Sequence, residues 1–322
     1  MKYYITIIIL FFAISFNAQS RKDKKIYLDS IGTQTTVGTH KYFRIIKGYY
    51  LEKEKYEVID YYLDNQIKAE GIFKNKYLNY PIGEYKKYYP SGKLQSIRKI
   101  STSDLGSDVF YSFHENGNKE IEGEYLKIKN GDKIDYNLKV TSYWTEDNIQ
   151  KVIDGEGFMV QKDDFETSSG TIKLGLKDGV WEGINTIHKI SFKDKYNFGI
   201  FIDGTSKNET NEEFHYIIVN QAAEFQDGSK KFTKFIEKYF TLPFIEKSFK
   251  GKMIISFVVG IDGNFRDLKV LESVIKECDI EGINLIKATQ GMWKPSIFRG
   301  IKTKYKLLQP INIESTFISE NR

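Results

Sequence analysis

The chain has 322 residues, of which 40% are hydrophobic and 15% aromatic, so it is long enough for two domains with packed cores. Its formal net charge of +5 is too small for a chain of this length to favour nucleic acid as a partner. Cys278 is its one cysteine, which excludes an intrachain disulfide.

The N-terminal segment has the layout of an export signal. Lys2 precedes an apolar run from Ile5 to Phe16, and the run ends at Asn17-Ala18-Gln19. A run of about a dozen residues is shorter than the roughly 20 that a helix needs to cross a bilayer. Residues 1–18 are therefore predicted to be a signal peptide cleaved after Ala18, which leaves no stable membrane anchor. An uncleaved anchor is the alternative, because Phe16 stands where a small residue is expected.

One sequence pattern recurs across residues 56–205, after a lead-in over residues 19–55. In each copy an aromatic pair enters a turn, a polar strand follows, and a glycine precedes another aromatic residue. The turns of the clearest copies centre on Asn65, Gly92, Gly117 and Asn148. Asn and Gly supply the positive φ that tight turns need. Intervals of 25 to 31 residues between these turns indicate one β-hairpin per repeat.

Two of these phrases resemble divergent bacterial MORN-type repeats. They are YYPSGKLQS from Tyr88 and FHENGNKEIEGEY from Phe113, and a degenerate copy begins at Gly175. The resemblance implies an elongated antiparallel β-hairpin array that serves as a scaffold or binding surface and has no chemistry of its own. The spacing of the aromatic residues selects no ligand, and packing within the sheet is the simpler interpretation of them.

A short linker is predicted over residues 206–221, where the sequence is first polar and then apolar. The domain boundary is placed in its polar half, near Lys207 to Glu212.

Residues 222–316 have the pattern of a small α+β domain with the order αββαβ, and residues 317–322 form a tail. An N-cap at Ser229 and apolar residues at helical spacing predict a first helix that ends before Pro243. Two strands follow, from Lys252 to Ile261 and from Phe265 to Glu272. Asp262-Gly263 predicts a two-residue turn between them.

A second helix and a final strand complete the predicted domain. Asp279 is the expected cap of the helix, which ends at Gly291 and turns Ile280, Ile283 and Ile286 toward the core. The final strand comprises Ile301, Lys302, Thr303, Lys304, Tyr305, Lys306, Leu307 and Leu308. Its three lysines share one face, which is expected to be solvated.

This arrangement resembles the C-terminal domain of TonB-type energy transducers. The matching phrases are AAEFQDG from Ala222, KGKMIISFVVGIDGNFRDLKVLES from Lys250, MWKPSIFRG from Met292 and KYKLLQPINI from Lys304. The resemblance implies a periplasmic domain that captures an extended peptide, typically a segment of an outer-membrane receptor, at an exposed sheet edge. It also implies that Trp293 and Pro295 seat the turn before the last strand. The chain departs from the family at Gln226-Asp227-Gly228, where a proline and paired glycines are usual.

The sequence offers no pattern that is typical of an enzyme. The four histidines lie far apart, no paired cysteines or phosphate-binding glycine loop occur, and no metal or cofactor is expected. Glu277 and Asp279 flank Cys278 and would raise the pKa of its thiol, which disfavours a nucleophile.

The function predicted from these features is that of an exported envelope protein that binds a peptide or an outer-membrane receptor segment by β-augmentation. The edge expected to bind it is the strand from Ile301 to Leu308. One alternative is a self-assembling scaffold whose C-terminal domain forms a homodimer. Another is a true energy transducer with an uncleaved anchor, although none of the five prolines forms a spacer across the periplasm.

Overall fold

The computed structural model describes residues 22–76, 78, 81–101, 106–130, 133–243 and 248–315. The predicted signal peptide with its cleavage site and the predicted tail lie outside the described residues. Within these ranges the protein consists mostly of antiparallel β-strands with two α-helices, which is compatible with the predicted α+β class. No helix of the described residues is long and apolar enough to cross a membrane.

The chain divides into two compact units. The first comprises Met1–Val160, Ser169–Gly179 and Asn197–Ile200, and the second comprises Gln161–Ser168, Val180–Tyr196 and Phe201–Arg322.

The first seventeen strands belong to the hairpin array. They are β1 (Lys24–Leu28), β2 (Gln34–Thr35), β3 (Tyr42–Ile46), β4 (Tyr56–Tyr62), β5 (Ile67–Phe73), β6 (Pro81–Tyr88), β7 (Leu94–Ile100), β8 (Asp108–Phe113), β9 (Lys119–Asn130), β10 (Lys133–Trp144), β11 (Gln150–Ile153), β12 (Glu156–Lys162), β13 (Glu166–Lys173), β14 (Leu176–Asn185), β15 (Ile190–Asn197), β16 (Ile200–Lys207) and β17 (Glu213–Tyr216).

The remaining elements form the C-terminal part. They are β18 (Asn220–Gln221), β19 (Glu224–Phe225), α1 (Ser229–Tyr239), β20 (Phe249–Val259), β21 (Phe265–Glu272), α2 (Lys276–Lys287), β22 (Trp293–Lys294), β23 (Ser296–Phe298), β24 (Ile301–Thr303) and β25 (Tyr305–Ser315).

Antiparallel pairing of successive strands builds the first unit. β1 pairs with β2 and β3, and each strand from β3 to β12 pairs with the next one along the chain. The strands therefore begin inside the segment that the sequence analysis treated as a lead-in.

Three-residue turns connect the two strands within several of these hairpins. In one of them the Tyr89 N–H donates to the Lys93 carbonyl (2.8 Å) and the Gly92 N–H donates to the Tyr89 carbonyl (2.8 Å). The same two bonds close the turns that begin at Tyr62, His114 and Thr145. The fourth residue of each turn has the predicted positive φ, and these residues are Asn65, Gly92, Gly117 and Asn148.

Two-residue turns appear later in the chain. They are Asp154-Gly155, Leu174-Gly175, Phe198-Gly199 and Arg299-Gly300, and both residues of each pair have positive φ. This is the geometry of type I′ turns, whose twist matches that of the flanking strands. Glycine adopts it freely, whereas the residue before it accepts a less favourable backbone conformation.

The first residue of a repeat turn links that hairpin to the following one. The Tyr62 hydroxyl donates to the Tyr88 carbonyl (2.8 Å), and the Tyr89 hydroxyl donates to the Phe113 carbonyl (2.9 Å). His114 Nε2 lies 2.8 Å from the Trp144 carbonyl and donates to it, since a carbonyl only accepts. The aromatic residues at the turns therefore stabilise contacts between repeats, which explains why the pattern recurs.

The structure differs from the prediction in the segment taken as a linker. Residues 206–221 hold the end of β16, the β16–β17 hairpin and β18. Asn208 Oδ1 accepts the backbone N–H groups of Thr210 (3.0 Å) and Glu212 (3.0 Å). The polar residues that suggested a linker are those of a hairpin turn, because asparagine side chains bind the backbone in this way.

The core of the C-terminal part lies between the two helices and a three-stranded sheet of order β21-β20-β25. Buried side chains from β20, α1 and α2 fill it, among them Met253, Ile255, Phe257, Phe232, Ile236, Leu285 and Ile286. Trp293 is buried among Phe225, Phe232 and Phe257, with ring centroids 4.9 to 5.5 Å apart, and its Nε1 donates to Thr289 Oγ1 (3.0 Å).

The caps of both helices differ from the prediction. Gly228 is the N-cap of α1, and Ser229 is its first helical residue. α2 begins three residues before Asp279, with Ile275 as its N-cap, so Asp279 lies in the first turn. This register leaves Ile280 55% exposed, whereas Cys278 and Leu285 are buried. Capping preference is weak compared with the packing that sets the register of a helix.

The turn between β20 and β21 is longer than the predicted two residues. The Gly260 N–H donates to the Asn264 carbonyl (2.7 Å), and Gly263 has a φ of 77°. The turn is therefore of the three-residue kind found in the repeats. Gly263 occupies its fourth position, whereas the prediction made it the second residue of a two-residue turn.

Candidate functional site

β25 is an edge strand of the C-terminal sheet. It pairs with β20 over eleven positions without a bulge, from Val259 opposite Tyr305 to Phe249 opposite Ser315. Among the described residues, no strand pairs with the other side of β25. The strand therefore offers one side of its backbone to a partner.

The position of Pro310 indicates which backbone groups point outward. Alternate residues of an antiparallel strand bind one neighbour, and the residues between them point the other way. Pro310 has no N–H, so it fits without losing a ladder bond only at an outward position. Leu308, Asn312 and Glu314 share its direction and carry outward N–H and C=O groups.

The β20–β21 turn supports the same assignment. The bond from the Gly260 N–H to the Asn264 carbonyl directs Gly260 toward β21. Val259, the next residue, then points toward β25, where it lies opposite Tyr305. Tyr305 therefore binds β20 through its backbone, as do Leu307 and Gln309 at the same spacing.

The two faces of β25 differ in their surroundings. The side chains of Tyr305, Leu307, Ile311 and Ile313 belong to the hydrophobic core. On the opposite face Pro310 and Asn312 are exposed, and Leu308 is half-buried. Since one face is packed, a visiting strand would extend the sheet without moving the core.

The other edge of this sheet, β21, is less suited to strand addition. Its pairing with β20 has two register irregularities, and Asp267 has a φ of 54°. Arg266 and Lys269 add charges along the strand. Bulges and charged side chains are the features that protect sheet edges from pairing.

The structure divides the predicted binding strand between two sheets. Ile301–Thr303 forms β24, the edge of a small sheet of order β18-β23-β24. Lys304 lies between the strands, and Tyr305, Lys306, Leu307 and Leu308 begin β25. Lys302 and Lys304 are exposed as predicted, whereas Lys306 is half-buried because it lies on the sheet opposite Val258.

Sequence reasoning missed the greater part of the edge. β25 continues to Ser315, so Gln309 and the six residues after it belong to the same strand. The alternation of Ile311 and Ile313 with polar residues was a signal for this continuation. Pro310 concealed it, since proline is uncommon within strands.

A cavity of about 670 Å³ lies beside β24. Its lining includes Gln221, Glu224, Ser229, Lys294, Ile297 and Lys302. Ile297 lies opposite both Gln221 and Lys302 in the strand register, so these three side chains share one face of the small sheet. No motif or spacing in the sequence predicts this cavity.

A buried ion cluster centres on Arg299, in the turn between β23 and β24. The guanidinium Nη2 lies 2.9 Å from Asp194 Oδ2, and Nη1 lies 2.7 Å from Glu166 Oε2. Its carbon lies 3.4 Å from the centroid of the Phe192 ring. Tyr216 also donates its hydroxyl to Asp194.

Backbone bonds hold the same turn. The Arg299 N–H donates to the Val219 carbonyl (2.7 Å), and Ser206 Oγ donates to the Arg299 carbonyl (2.7 Å). Arg299 itself has a φ of 45°. A side-chain-bearing residue keeps such a conformation only where its surroundings fix it.

The cluster shifts several pKa values. Burial and the neighbouring Asp194 raise the pKa of Tyr196 and of Tyr216. Burial alone would lower the pKa of Arg299, but hydrogen bonds to Glu166 and Asp194 outweigh it and raise that pKa. Burial, together with the charge of Arg299, lowers the pKa of His188. The arrangement holds an arginine and two carboxylates in fixed contact, which suits a structural link.

Two further features bear on chemistry. In the part of the chain that the structure describes, no group of three or more histidine, cysteine, aspartate or glutamate side chains could hold a metal ion. Cys278 is buried, and burial with the nearby Asp279, Glu277 and Glu281 raises the pKa of its thiol, which agrees with the prediction.

Comparison of the chain with models of protein families, with curated proteins and with solved structures gives no match.

Proposed function

We propose that the protein is an exported envelope protein that binds an extended peptide by adding it as a strand to the outer side of β25. The observation that carries this proposal is the regular, one-sided pairing of β25 over eleven positions. Main-chain bonds to an edge strand provide affinity, and alternate side chains provide specificity. An outer-membrane receptor segment is the partner that the resemblance to the TonB C-terminal domain favours.

The hairpin array serves in this proposal as a scaffold for the C-terminal part. Hydrogen bonds between its repeats, such as that from Tyr89 to the Phe113 carbonyl, support a structural role. Binding rather than catalysis is the proposed activity, and the signal-like N-terminus supports a periplasmic or otherwise exported location.

A proline substitution at Leu308 tests the binding edge. Leu308→Pro removes an outward N–H and leaves the bonds to β20 intact, as Pro310 does, so the variant should stay folded. Leu308→Ala is the matched control, because it shortens the side chain and keeps the N–H. The full chain would first be used to select binders from a library of ten-residue peptides.

Peptide affinity and amide hydrogen exchange are the measurements. We expect bound peptide to slow exchange at Leu308 and Asn312, and Leu308→Pro to weaken binding at least about tenfold relative to Leu308→Ala. Equal affinity of the selected peptides for the two variants would overturn the proposal. A concentration-dependent dimer that Leu308→Pro dissociates would instead assign the edge to a second copy of the chain.

A further inference from the structure

Lysines outnumber carboxylates in the lining of the cavity beside β24. Lys294 and Lys302 line it and are both exposed, and within the described residues neither ammonium forms an ion pair or a side-chain hydrogen bond. Lys250 of the same part, by contrast, is paired with Glu314 (2.9 Å). Glu224 is the one carboxylate among the lining residues, so the lining carries a net charge of one positive unit.

The charged lining residues come from two strand pairs. Glu224 lies opposite Lys294 across the β19–β22 pair, and Lys302 lies opposite Ile297 across the β23–β24 pair. Although Glu224 and Lys294 are direct neighbours, no ion pair joins them. Both lysines are therefore available to an anion that enters the cavity.

The rest of the lining is mixed. Gln221 and Ser229 contribute an amide and a hydroxyl, which can donate hydrogen bonds to an anion. Ala222, Pro295 and Ile297 contribute apolar surface. A volume of about 670 Å³ is far larger than a small inorganic ion needs and lies in the usual range for organic ligands.

We propose that this cavity binds an amphiphilic monocarboxylate. Its carboxylate would lie between the ammonium groups of Lys294 and Lys302, and its apolar body would contact Ile297 and Pro295. A monoanion fits the net charge of the lining better than a phosphate dianion does. The site is distinct from the outer side of β25, and the proposal stands without peptide binding there.

Chemical-shift titration of the isotopically labelled full chain tests the site. N-acetylleucine is the probe, since it has one carboxylate and a branched apolar body. N-acetylleucinamide keeps the body without the charge, and inorganic phosphate keeps a charge without the body. 4-Methylpentanoate lacks the amide group, so it separates a free organic acid from the C-terminus of a peptide as the source.

We expect N-acetylleucine to shift the backbone signals of Ala222, Ala223 and Ile297 saturably. The amide and phosphate should each bind at least about fivefold more weakly. Lys294→Gln and Lys302→Gln should each weaken binding about two- to fivefold, in keeping with exposed charge pairs. Lys287→Gln, at an exposed lysine of α2 outside the lining, is the matched control and should change nothing.

Three results would overturn the proposal. The first is equal binding of the acid and its amide, the second is an equal effect of Lys294→Gln and Lys287→Gln, and the third is a set of shifted signals away from the cavity. A tighter complex with 4-methylpentanoate than with N-acetylleucine would keep the site and assign it to free acids.

Discussion

Arg299 and Asp194 are 105 positions apart in the chain, and a buried ion pair joins them, with Nη2 2.9 Å from Oδ2. Asp194 lies in β15 of the hairpin array, whereas Arg299 lies in the β23–β24 turn. Both belong to the second compact unit. The last strands of the array and the C-terminal elements are therefore parts of one folded unit, and no boundary separates them at the predicted linker.

Replacement of Arg299 should destabilise the protein strongly. Arg299→Met leaves Asp194 buried without its cation, and breaking a buried pair in this way costs about 3–5 kcal/mol. Urea denaturation of the full chain measures the free energy of unfolding.

Two controls make this prediction specific. Arg266→Met removes the exposed ion pair with Asp262 and should leave the denaturation midpoint unchanged. Adding Asp194→Asn and Glu166→Gln to Arg299→Met should restore part of the loss, because no buried charge then lacks a partner. A destabilisation by Arg299→Met no larger than that by Arg266→Met would contradict the role assigned to the cluster.

The same cluster predicts where the chain can be cut. A fragment of residues 213–322 lacks Asp194 and Glu166, so Arg299 has no carboxylate partner there, whereas residues 161–322 retain both. We expect the longer fragment to melt cooperatively and the shorter one to melt at a lower temperature without a sharp transition. Circular dichroism during heating distinguishes them, and equal melting temperatures would disprove the prediction.

The bond between repeats at Tyr89 should be measurable. Tyr89→Phe removes the hydroxyl that donates to the Phe113 carbonyl, and a hydrogen bond of this kind contributes about 1 kcal/mol. Tyr111→Phe is the control, because Tyr111 is similarly half-buried and no described hydrogen bond involves its hydroxyl. Denaturant midpoints that fall equally in both variants would show that the bond adds nothing.

Stability should decrease in weak acid because of His188. Burial and the charge of Arg299 lower its pKa, so the folded state favours the neutral imidazole. In the unfolded chain this histidine takes up a proton near pH 6.5. The stabilisation that neutral His188 gives the folded state is therefore present above that pH and is lost as the pH falls toward the lower pKa of the folded state. A nuclear magnetic resonance titration of His188 should give a midpoint below 6.5. The urea midpoint of His188→Phe should fall less between pH 7 and pH 5 than that of the wild type, and an equal fall would refute this assignment.

The sequence predicts the backbone conformation at the turns, but it does not predict which distant residues contact each other in the fold. Asn65 and Gly117 were identified as turn residues with positive φ because few residue types adopt that conformation. The boundary between β24 and β25 at Lys304 could not be predicted from the sequence. The alternation of apolar and polar residues continues through Lys304, although the two strands pair with different partners. The position of Ile280 was wrong for a related reason, because apolar spacing gives a helical face only to within about one residue.

Arg299 illustrates what one sequence cannot reveal. A single arginine before a glycine has no periodicity, and its carboxylate partners lie more than 100 positions earlier in the chain. The binding edge was located in part, at Tyr305 to Leu308, because strand propensity is local. Its full extent depends on pairing with β20, which is a long-range property.

Pro310 also has a consequence for contacts between molecules. If two copies met edge to edge along β25, each would place a proline within the shared ladder, and the N–H missing at that point would interrupt the bonds on both strands. A long, continuous cross-chain sheet, the first step toward fibres, is thereby disfavoured. A single peptide bound along β25 meets this missing N–H once, whereas two paired copies would meet it on both strands, so the edge favours a peptide over a second copy of the protein.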